Sequence, residues 1–521
     1  MVTSMFLFTI DPFFTILMCI TLCFLHAISC EFRRDRQFSG HGPPTYPIIG
    51  CLVSFYKNRH RLLDWYTDLL SKSTTRTIVI RRFGARRTVV TANPENVEYM
   101  LKTNFSNYPK GKASAEILGD FLGCGILNVD GKLWQAQRKL ASYEFSAKSL
   151  QEYLVNTLEE QVEGKLLPFM ESMAAVENDG KVVVDLQELL RRLAFDIVCE
   201  VTLGIDPCSL DSSLSYSGLE RAFSVASEVC ARRGSEPVSV VWKIKRMLGV
   251  GSERRLREAI EEIHAFVTEI IHDRIWVIVE NGKVPPGEDL LSKMIVTGLD
   301  ERVLLRDMVL SFMMAGRDTM SAAMTWLFYL LSYHPKVEQE VVKELGSVVE
   351  PQERLSHYET LKEMRYLKAC ICESMRLFPP VAWDSKHAIA DDFLPDGTPV
   401  HAGDWVTYFP YGMGRMQVLW GEDRLDFKPG RWFLEPDGEG RGPLKKVCPY
   451  KFPVFQGGPR VCLGREMAFI QMKYVVGSIL KRFEIQPASL DRPVFVPLLT
   501  AHMAGGFKVF VRRRQPPRAN N

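Results

Sequence analysis

Residues 455–464, FQGGPRVCLG, set one cysteine, Cys462, among three glycines, a proline and an arginine. The chain then runs on as LGREMAFIQMKYVVGSILKRF, where Met467, Ile470, Met472, Val475, Val476, Ile479 and Leu480 recur at helical spacing. Cys462 therefore stands just before, or at, a helix N-terminus, where unpaired N–H groups and the helix dipole favour a negatively charged sulfur. Gly457, Gly458 and Gly464 free the backbone of side-chain constraint and let a flat, bulky group come close. Arg460, two residues before the sulfur, can point along that plane toward an anionic edge. A thiolate, a cleared flat face and a cation for carboxylates together describe a site for haem, with the sulfur as iron ligand.

The set Phe455, Gly458, Arg460, Cys462 and Gly464 resembles the F-x-x-G-x-R-x-C-x-G haem loop of the cytochrome P450 family. The resemblance implies haem b (iron-protoporphyrin IX) ligated by Cys462, with the other four residues holding the cofactor. It also implies dioxygen as co-substrate and electrons from NADPH, delivered by a membrane-bound NADPH–cytochrome P450 reductase. A thiolate ligand pushes electron density toward iron and favours O–O cleavage.

Three further groups bear on this chemistry. AGRDTMSAA lies in an apolar helical run, 306–333. A membrane span is excluded there, because Arg317 and Asp318 would each cost about 2.5–3.5 kcal/mol in lipid. Ala315 and Gly316 leave space beside the helix, Thr319 offers a hydroxyl, and Asp318 can bring protons from outside. The residues alone also allow a Thr319 hydroxyl bonded to its own helix backbone. The resemblance assigns Asp318 and Thr319 to oxygen activation; Met320 stands where relatives often carry a second Thr or Ser. In CESMRLFPP, Glu373 and Arg376 share one helix turn. Alone, that spacing usually marks a solvated pair. The resemblance makes it a buried network completed by Arg431 of FKPGRW, with Gly430 and Trp432 departing from the common Glu and Phe. In WQAQR, Trp134 and Arg138 share a helix face. The resemblance places them at the haem propionates, although spacing alone suits an amphipathic surface helix equally well. Arg138, Lys139, Arg465 and Lys473 would form a basic face for an acidic electron donor.

The elements that position these groups are mostly helical: 132–145, 149–171, 185–203, 253–281, 306–333, 335–349 and 366–377. A hairpin, RTIVIRRF and RRTVVTA, precedes them, with Asn93 capping the helix that begins at Pro94. Strand patterns return in TPVHAGDWVTYFP and FKVFVRRR. Helix thus dominates, with a small β-rich portion drawn from both ends of the chain, which is the cytochrome P450 fold by resemblance. PFFTILMCITLCFLHAI, with the apolar residues ahead of it, reaches the roughly 20 residues needed to span a bilayer. Arg33, Arg34 and Arg36 follow and no Lys or Arg precedes, so the body is expected on the cytosolic side. The resulting division is an anchor at 1–30, a basic and Pro/Gly-rich elbow at 31–50, a haem domain at 51–515 and a tail at 516–521. The expected location is the endoplasmic reticulum membrane. A net charge of +3 over 521 residues gives no basic stripe for nucleic acid. The 12 cysteines show neither zinc spacing nor a stapled-scaffold pattern.

AGRDTMSAAMTWLF, VAWDSKHA, VTYFPYGMGRM and PVFVPLLTAHMAGGFKV resemble the plant cytochromes P450 that hydroxylate fatty acids at or near the ω end. VAWDSKHA and the C-terminal stretch are most similar to the jasmonoyl-isoleucine ω-hydroxylases. The implied substrate is a small lipid-like carboxylate with an apolar tail, jasmonoyl-isoleucine or, alternatively, a long-chain fatty acid destined for suberin or cutin. A haem-thiolate isomerase and a non-catalytic haem sensor are the readings from other classes. Phe121, Ala315, Ala382 and Trp383 are expected in the substrate pocket, within stretches 117–125, 312–319, 381–383 and 500–503, and Arg232 or Arg233 at the substrate carboxylate.

Overall fold

The computed structural model describes residues 21–22, 42–46, 48–175, 182–210, 217–236, 239–280, 289–297, 301–348, 358–435 and 442–515. The tail at 516–521 and nearly all of the expected anchor at 1–30 lie outside the described residues. Among the described residues no helix is long and apolar enough to cross a membrane. The end of the elbow is a closed turn. Tyr46 and Gly50 exchange backbone hydrogen bonds of 2.9 Å, and the Cys51 N–H donates to the Arg81 carbonyl at 2.8 Å. Gly50 has φ +60°, and a Cβ there would lie 2.2 Å from the Arg81 oxygen, so this turn requires glycine.

The helices that shape the site are α1 (Gly111–Leu122), α2 (Gly131–Ser146), α3 (Leu186–Leu203), α4 (Ser217–Ser235), α5 (Ser239–Leu248), α6 (Ser252–Ile275), α7 (Arg302–Tyr333), α8 (Arg365–Leu377) and α9 (Arg465–Arg482). Helix α7 runs 32 residues through the core, and most of its side chains from Leu305 to Leu331 are buried. It lies against α3, where Gly316 backs onto Val198. A Cβ on Gly316 would come 2.6 Å from Val198 Cγ2. Gly316 and Val198 both line the cavity that holds Cys462, so the glycine leaves the space beside the helix that was expected and also permits this close approach.

Two sheets draw on distant parts of the chain. In the first, Thr77–Ile80 pairs antiparallel with Thr88–Thr91, which pairs parallel with Trp405–Tyr408. Asp384–His387 completes it antiparallel to Trp405–Tyr408. In the second, Lys508–Arg513 lies between Val184–Asp185 and Phe483–Pro487.

The expected long helices are present, with instructive differences. The run 149–171 is divided into Lys148–Gln161, a π turn at Val162–Leu166 and Leu167–Ala175. Gly164, a poor helix former, sits inside that turn. The run 253–281 likewise ends its α-helix at Ile275 and continues as a π turn, Trp276–Glu280. Helices α1, α4 and α5 were not anticipated. In α4 the buried face is Leu219, Ala222, Phe223, Ala226, Val229 and Cys230. Small residues carry half of that stripe, so its 3.6-residue period is faint in the sequence.

The Glu373 carboxylate is fully buried at the hub of a hydrogen-bond network. It accepts from Arg376 Nε (2.8 Å) and Nη2 (2.9 Å), Arg431 Nε (2.7 Å), the Lys428 N–H (3.0 Å) and Trp432 Nε1 (2.9 Å). Arg376 in turn donates to the carbonyls of Gly414, Arg424 (2.6 Å) and Asp426 (3.0 Å). The tryptophan where the family pattern commonly has Phe thus adds a donor to the buried charge. Gly430 has open space beside it. Removing one partner of such a cluster strands the others. Glu373→Ala is expected to destabilise the fold by about 3–5 kcal/mol in a urea melt. Glu373→Gln, which keeps an acceptor, should cost less; equal stability of Glu373→Ala and wild type would show that the network carries no load.

Candidate active site

Residues 453–464 fold as two 3₁₀ turns, Pro453–Phe455 and Gly458–Arg460, separated by Gln456 in the left-handed region at φ +59°. The Cys462 N–H closes the loop by donating to the Phe455 carbonyl at 2.8 Å. Helix α9 begins three residues later, and Phe455 packs on its Phe469 with ring centroids 5.3 Å apart. Cys462 is exposed, but protein encloses it closely, so its free surface faces an internal cavity of about 310 Å³. Burial pushes the thiol above its usual pKa. A hydrogen bond from the Gly464 backbone and the charges of Arg138 and Arg465 pull it back without prevailing.

Two of the three loop glycines serve protein packing, contrary to the expectation that all three clear a flat face. A Cβ on Gly458 (φ +62°) would meet the Leu101 carbonyl oxygen at 1.9 Å, and one on Gly457 the Tyr450 ring at 2.6 Å. Only Gly464, whose nearest neighbour would be Phe145 Cε1 at 3.8 Å, opens on the cavity.

Helix α7 supplies another cavity wall through Phe312, Ala315 and Thr319. The Thr319 hydroxyl donates to its own helix, at the Ala315 carbonyl (2.6 Å), which leaves its lone pairs to accept from the cavity. Asp318 does not line this cavity. It faces a second, polar chamber of about 390 Å³ together with Arg317, Arg191, Glu228, Gln187 and His502. Its carboxylate accepts from Arg317 Nη1 at 3.0 Å. Burial pulls His502 below the usual imidazole range, and Asp318 opposes that shift. The expected acid and hydroxyl are thus neighbours in sequence that open onto different cavities.

One edge of the Cys462 cavity is cationic. Arg460 Nη2 donates to Asp130 Oδ1 (2.5 Å) and the Val129 carbonyl (3.0 Å), and its guanidinium lies 4.4 Å from the centroid of Trp134. Its Nε is buried and lacks a partner. Arg138 Nη2 donates to the Val461 carbonyl at 2.6 Å. Lys110, which the sequence analysis missed, lines the same cavity and donates to the Leu127 carbonyl at 2.7 Å. Burial brings its ammonium down to about 8, against the pull of Asp384. Asp384, also on the lining, stays below its usual range because Lys386 and Lys110 outweigh its burial. An orphaned guanidinium nitrogen and further cations beside an apolar cavity with a sulfur on its wall fit haem, whose propionates would meet Arg460, Arg138 and Lys110. Nothing local marks Lys110 in YPKGK, because Leu127 and Asp384 reach it only through the fold.

Several other expectations are corrected. Phe121 is fully buried in an aromatic cluster with Phe223 (5.5 Å), which in turn meets Phe195, and does not line the cavity. Ala382 is buried and Trp383 stacks toward Phe409 at 6.3 Å, both outside the lining; Val381 is the residue of that stretch that reaches it. Thr500, Ala501 and His502 face the polar chamber. Arg233 is buried in ion pairs with Glu253 and Asp120 (2.8 Å), and Arg232 is exposed beside Glu228 (2.5 Å), so neither offers a free guanidinium to a substrate. Lys473 is buried, donating to the Leu361 carbonyl at 2.5 Å, and drops out of the basic face. Lys139 and Arg465 remain exposed on it.

A sulfur presented by a 3₁₀ loop to an apolar cavity beneath the middle of a long core helix, with cations gathered along one edge, defines a haem-thiolate protein. The chain belongs to the cytochrome P450 family, whose profile matches residues 41–502, and membership makes it a haem- and dioxygen-dependent monooxygenase. Among its relatives, Cytochrome P450 94B1 of Arabidopsis thaliana is 56% identical over 486 residues, covering 92% of this chain and 93% of that one. Cytochrome P450 94B3 of the same plant is 54% identical over 487 residues, covering 93% and 94%. Cytochrome P450 94A1 of Vicia sativa is 40% identical over 474 residues, covering 91% and 90%.

Hydrogen bonds to charged groups contribute about 1.5–3 kcal/mol each. Arg460→Leu and Arg138→Leu should therefore each weaken haem retention roughly tenfold or more, read as the haem-to-protein ratio after gel filtration. Full haem content in both variants would take the propionates elsewhere.

Proposed function

We propose that this protein hydroxylates the terminal (ω) carbon of a lipid-derived carboxylate, and that jasmonoyl-isoleucine is its substrate. Its electrons come from NADPH through a membrane-bound NADPH–cytochrome P450 reductase at the endoplasmic reticulum, where residues 1–30 anchor it with the catalytic body toward the cytosol. The observation that carries this reading is the apolar space between Cys462 and the Phe312–Ala315–Thr319 face of α7, which suits a hydrocarbon end rather than a charged one. The identity of more than half to the 94B relatives across nearly the whole chain supports the subfamily, as do VAWDSKHA and the C-terminal stretch.

In this reading Cys462 holds the haem iron, and Arg138, Arg460 and Lys110 hold the propionates, with Trp134 packed beneath Arg460. When bound, haem supplies dioxygen activation, driven in part by electron donation from the sulfur. Phe312, Ala315 and Val381 shape the apolar space and keep water from the substrate's methyl end. Thr319 accepts and passes a proton on the cavity side of α7, while Asp318 collects protons on the chamber side. Glu373, Arg376 and Arg431 take no part in the chemistry and hold the chain that supports the cysteine loop.

Membranes containing the protein and reductase, incubated with jasmonoyl-isoleucine or with long-chain fatty acids, test the substrate by mass spectrometry. Jasmonoyl-isoleucine is expected to gain one oxygen at its terminal carbon, only with NADPH. Fatty-acid products alone would move the activity to suberin or cutin precursors. Turnover without NADPH would make the protein an isomerase, and haem spectra unmoved by any of these acids would favour a sensor. Cys462→Ala should abolish both turnover and the thiolate haem spectrum. Ala315→Phe places a ring in the apolar space and should lower kcat/KM about tenfold or more at unchanged haem content.

A further inference from the structure

Beyond the cavity wall, the last turns of α7 carry a run of rings to the protein surface. Met320 and Ala323 line the cavity beside Cys462. Trp326 stands three residues past Ala323, about 4.5 Å further along the helix axis. It is fully buried, and its ring lies parallel to that of Phe378 with centroids 4.1 Å apart. Tyr329 and Tyr333 follow at spacings of three and four, which keep all three rings on one helix face. The centroids are 5.7 Å apart from Trp326 to Tyr329 and 5.0 Å from Tyr329 to Tyr333. Exposure rises along the run, from buried Trp326 through half-buried Tyr329 to Tyr333 at 39%. Trp326 Nε1 is buried without a hydrogen-bond partner. An indole that lost an electron there has no acceptor for its proton, so the vacancy is refilled rather than trapped. Tyr333, an exposed phenol, can release its proton to water. A second run leaves Trp326 through Phe495 to Tyr411, with centroids 5.4 and 5.2 Å apart. Its middle ring is a phenylalanine, which gives up an electron far less readily than an indole or a phenol.

We propose that Trp326, Tyr329 and Tyr333 form an electron path that drains oxidising equivalents from the cavity when no substrate is there to take them, and that a small thiol reduces Tyr333 at the surface. The oxidising power is that of dioxygen activation, which the monooxygenase activity supplies; the identity of the lipid acid does not enter. In each pass one electron moves from Trp326 to the cavity. Tyr329 refills Trp326, and Tyr333 refills Tyr329 and releases its phenolic proton to water. The tyrosyl radical then takes a hydrogen atom from the thiol and becomes a phenol again. Two passes supply two electrons, and with two protons from water the unused oxygen atom leaves as water. The two thiyl radicals join as a disulfide, so the net change is two thiols oxidised and one oxygen atom reduced. With the path cut, the sulfurs of Met320 and Met375 on the cavity wall are the groups left to be oxidised, to sulfoxides.

The test uses the haem-loaded full chain and hydrogen peroxide, without substrate or reductase. Freeze-quenched electron paramagnetic resonance should show a tyrosyl radical, and a nitroso spin trap should mark the peptide that carries Tyr333. Tyr329→Phe leaves Tyr333 intact, yet it should remove the adduct from Tyr333. It should also raise sulfoxide at Met320 and Met375, and the rate of haem bleaching, several-fold. Tyr333→Phe, at the exposed end where packing is not at stake, should likewise lose the adduct and speed bleaching. Tyr56→Phe, at an exposed tyrosine off the run, should change neither. With NADPH and reductase in place of peroxide, added glutathione should slow bleaching of the parent and not of Tyr329→Phe. A parent without a tyrosyl radical overturns the path. So does an adduct on Tyr333 undiminished by Tyr329→Phe, a radical on Tyr411 alone, or bleaching equal in the parent and both variants of the run. No arm needs product from a lipid acid, so a wrong substrate in the proposed function leaves this result readable.

Discussion

A buried carboxylate that must not lose its partners underlies the geometry of the site. Glu373 sits in the core with Arg376, Arg431, Lys428 and Trp432 all donating to it. The cost of burying that charge is met only when the chain from Gly414 to Trp432 folds back over α8. The Trp432 ring then packs on Phe452 with centroids 4.9 Å apart, and Phe452 leads directly into the loop that presents Cys462. The loop is fixed at its other end by Phe455 on α9 and by the tight approach of Gly458 to Leu101. The position of the sulfur is therefore set by electrostatics at one remove and by close packing at contact.

The second constraint is the helical repeat. Successive residues of an α-helix point about 100° apart, so two neighbours can serve two compartments. Helix α7 uses this at Asp318 and Thr319: the hydroxyl opens on a largely apolar cavity, the carboxylate on a chamber lined with charge. A largely apolar compartment and a charged, polar one are thus separated by the thickness of one helix. Gly316 lets α7 press against Val198 of α3 at the wall of the apolar cavity.

What the sequence disclosed, and what it hid, follows from range. The cysteine loop, the turn with Glu373 and Arg376, the cap at Asn93 and the long apolar helices are local patterns, legible because all their members lie within a few residues. Lys110 was not legible, since Leu127 and Asp384 meet it only in the folded chain. The same holds for Arg233 and Lys473: a cation on a helix reads as solvent-exposed until its buried partners, Glu253 or the Leu361 carbonyl, are known. Phe121 and Trp383 show the converse error. An aromatic at a family pocket position can equally be core, and here Phe223 and Phe409 claim them.

The strand Thr88–Thr91 finds its parallel partner only at Trp405–Tyr408. A ribosome adding about 5–20 residues per second leaves that strand waiting on the order of tens of seconds. During synthesis the nascent hairpin carries an unpaired β edge. The order of synthesis, rather than the finished fold, therefore sets when the edge of Thr88–Thr91 is open to other strands.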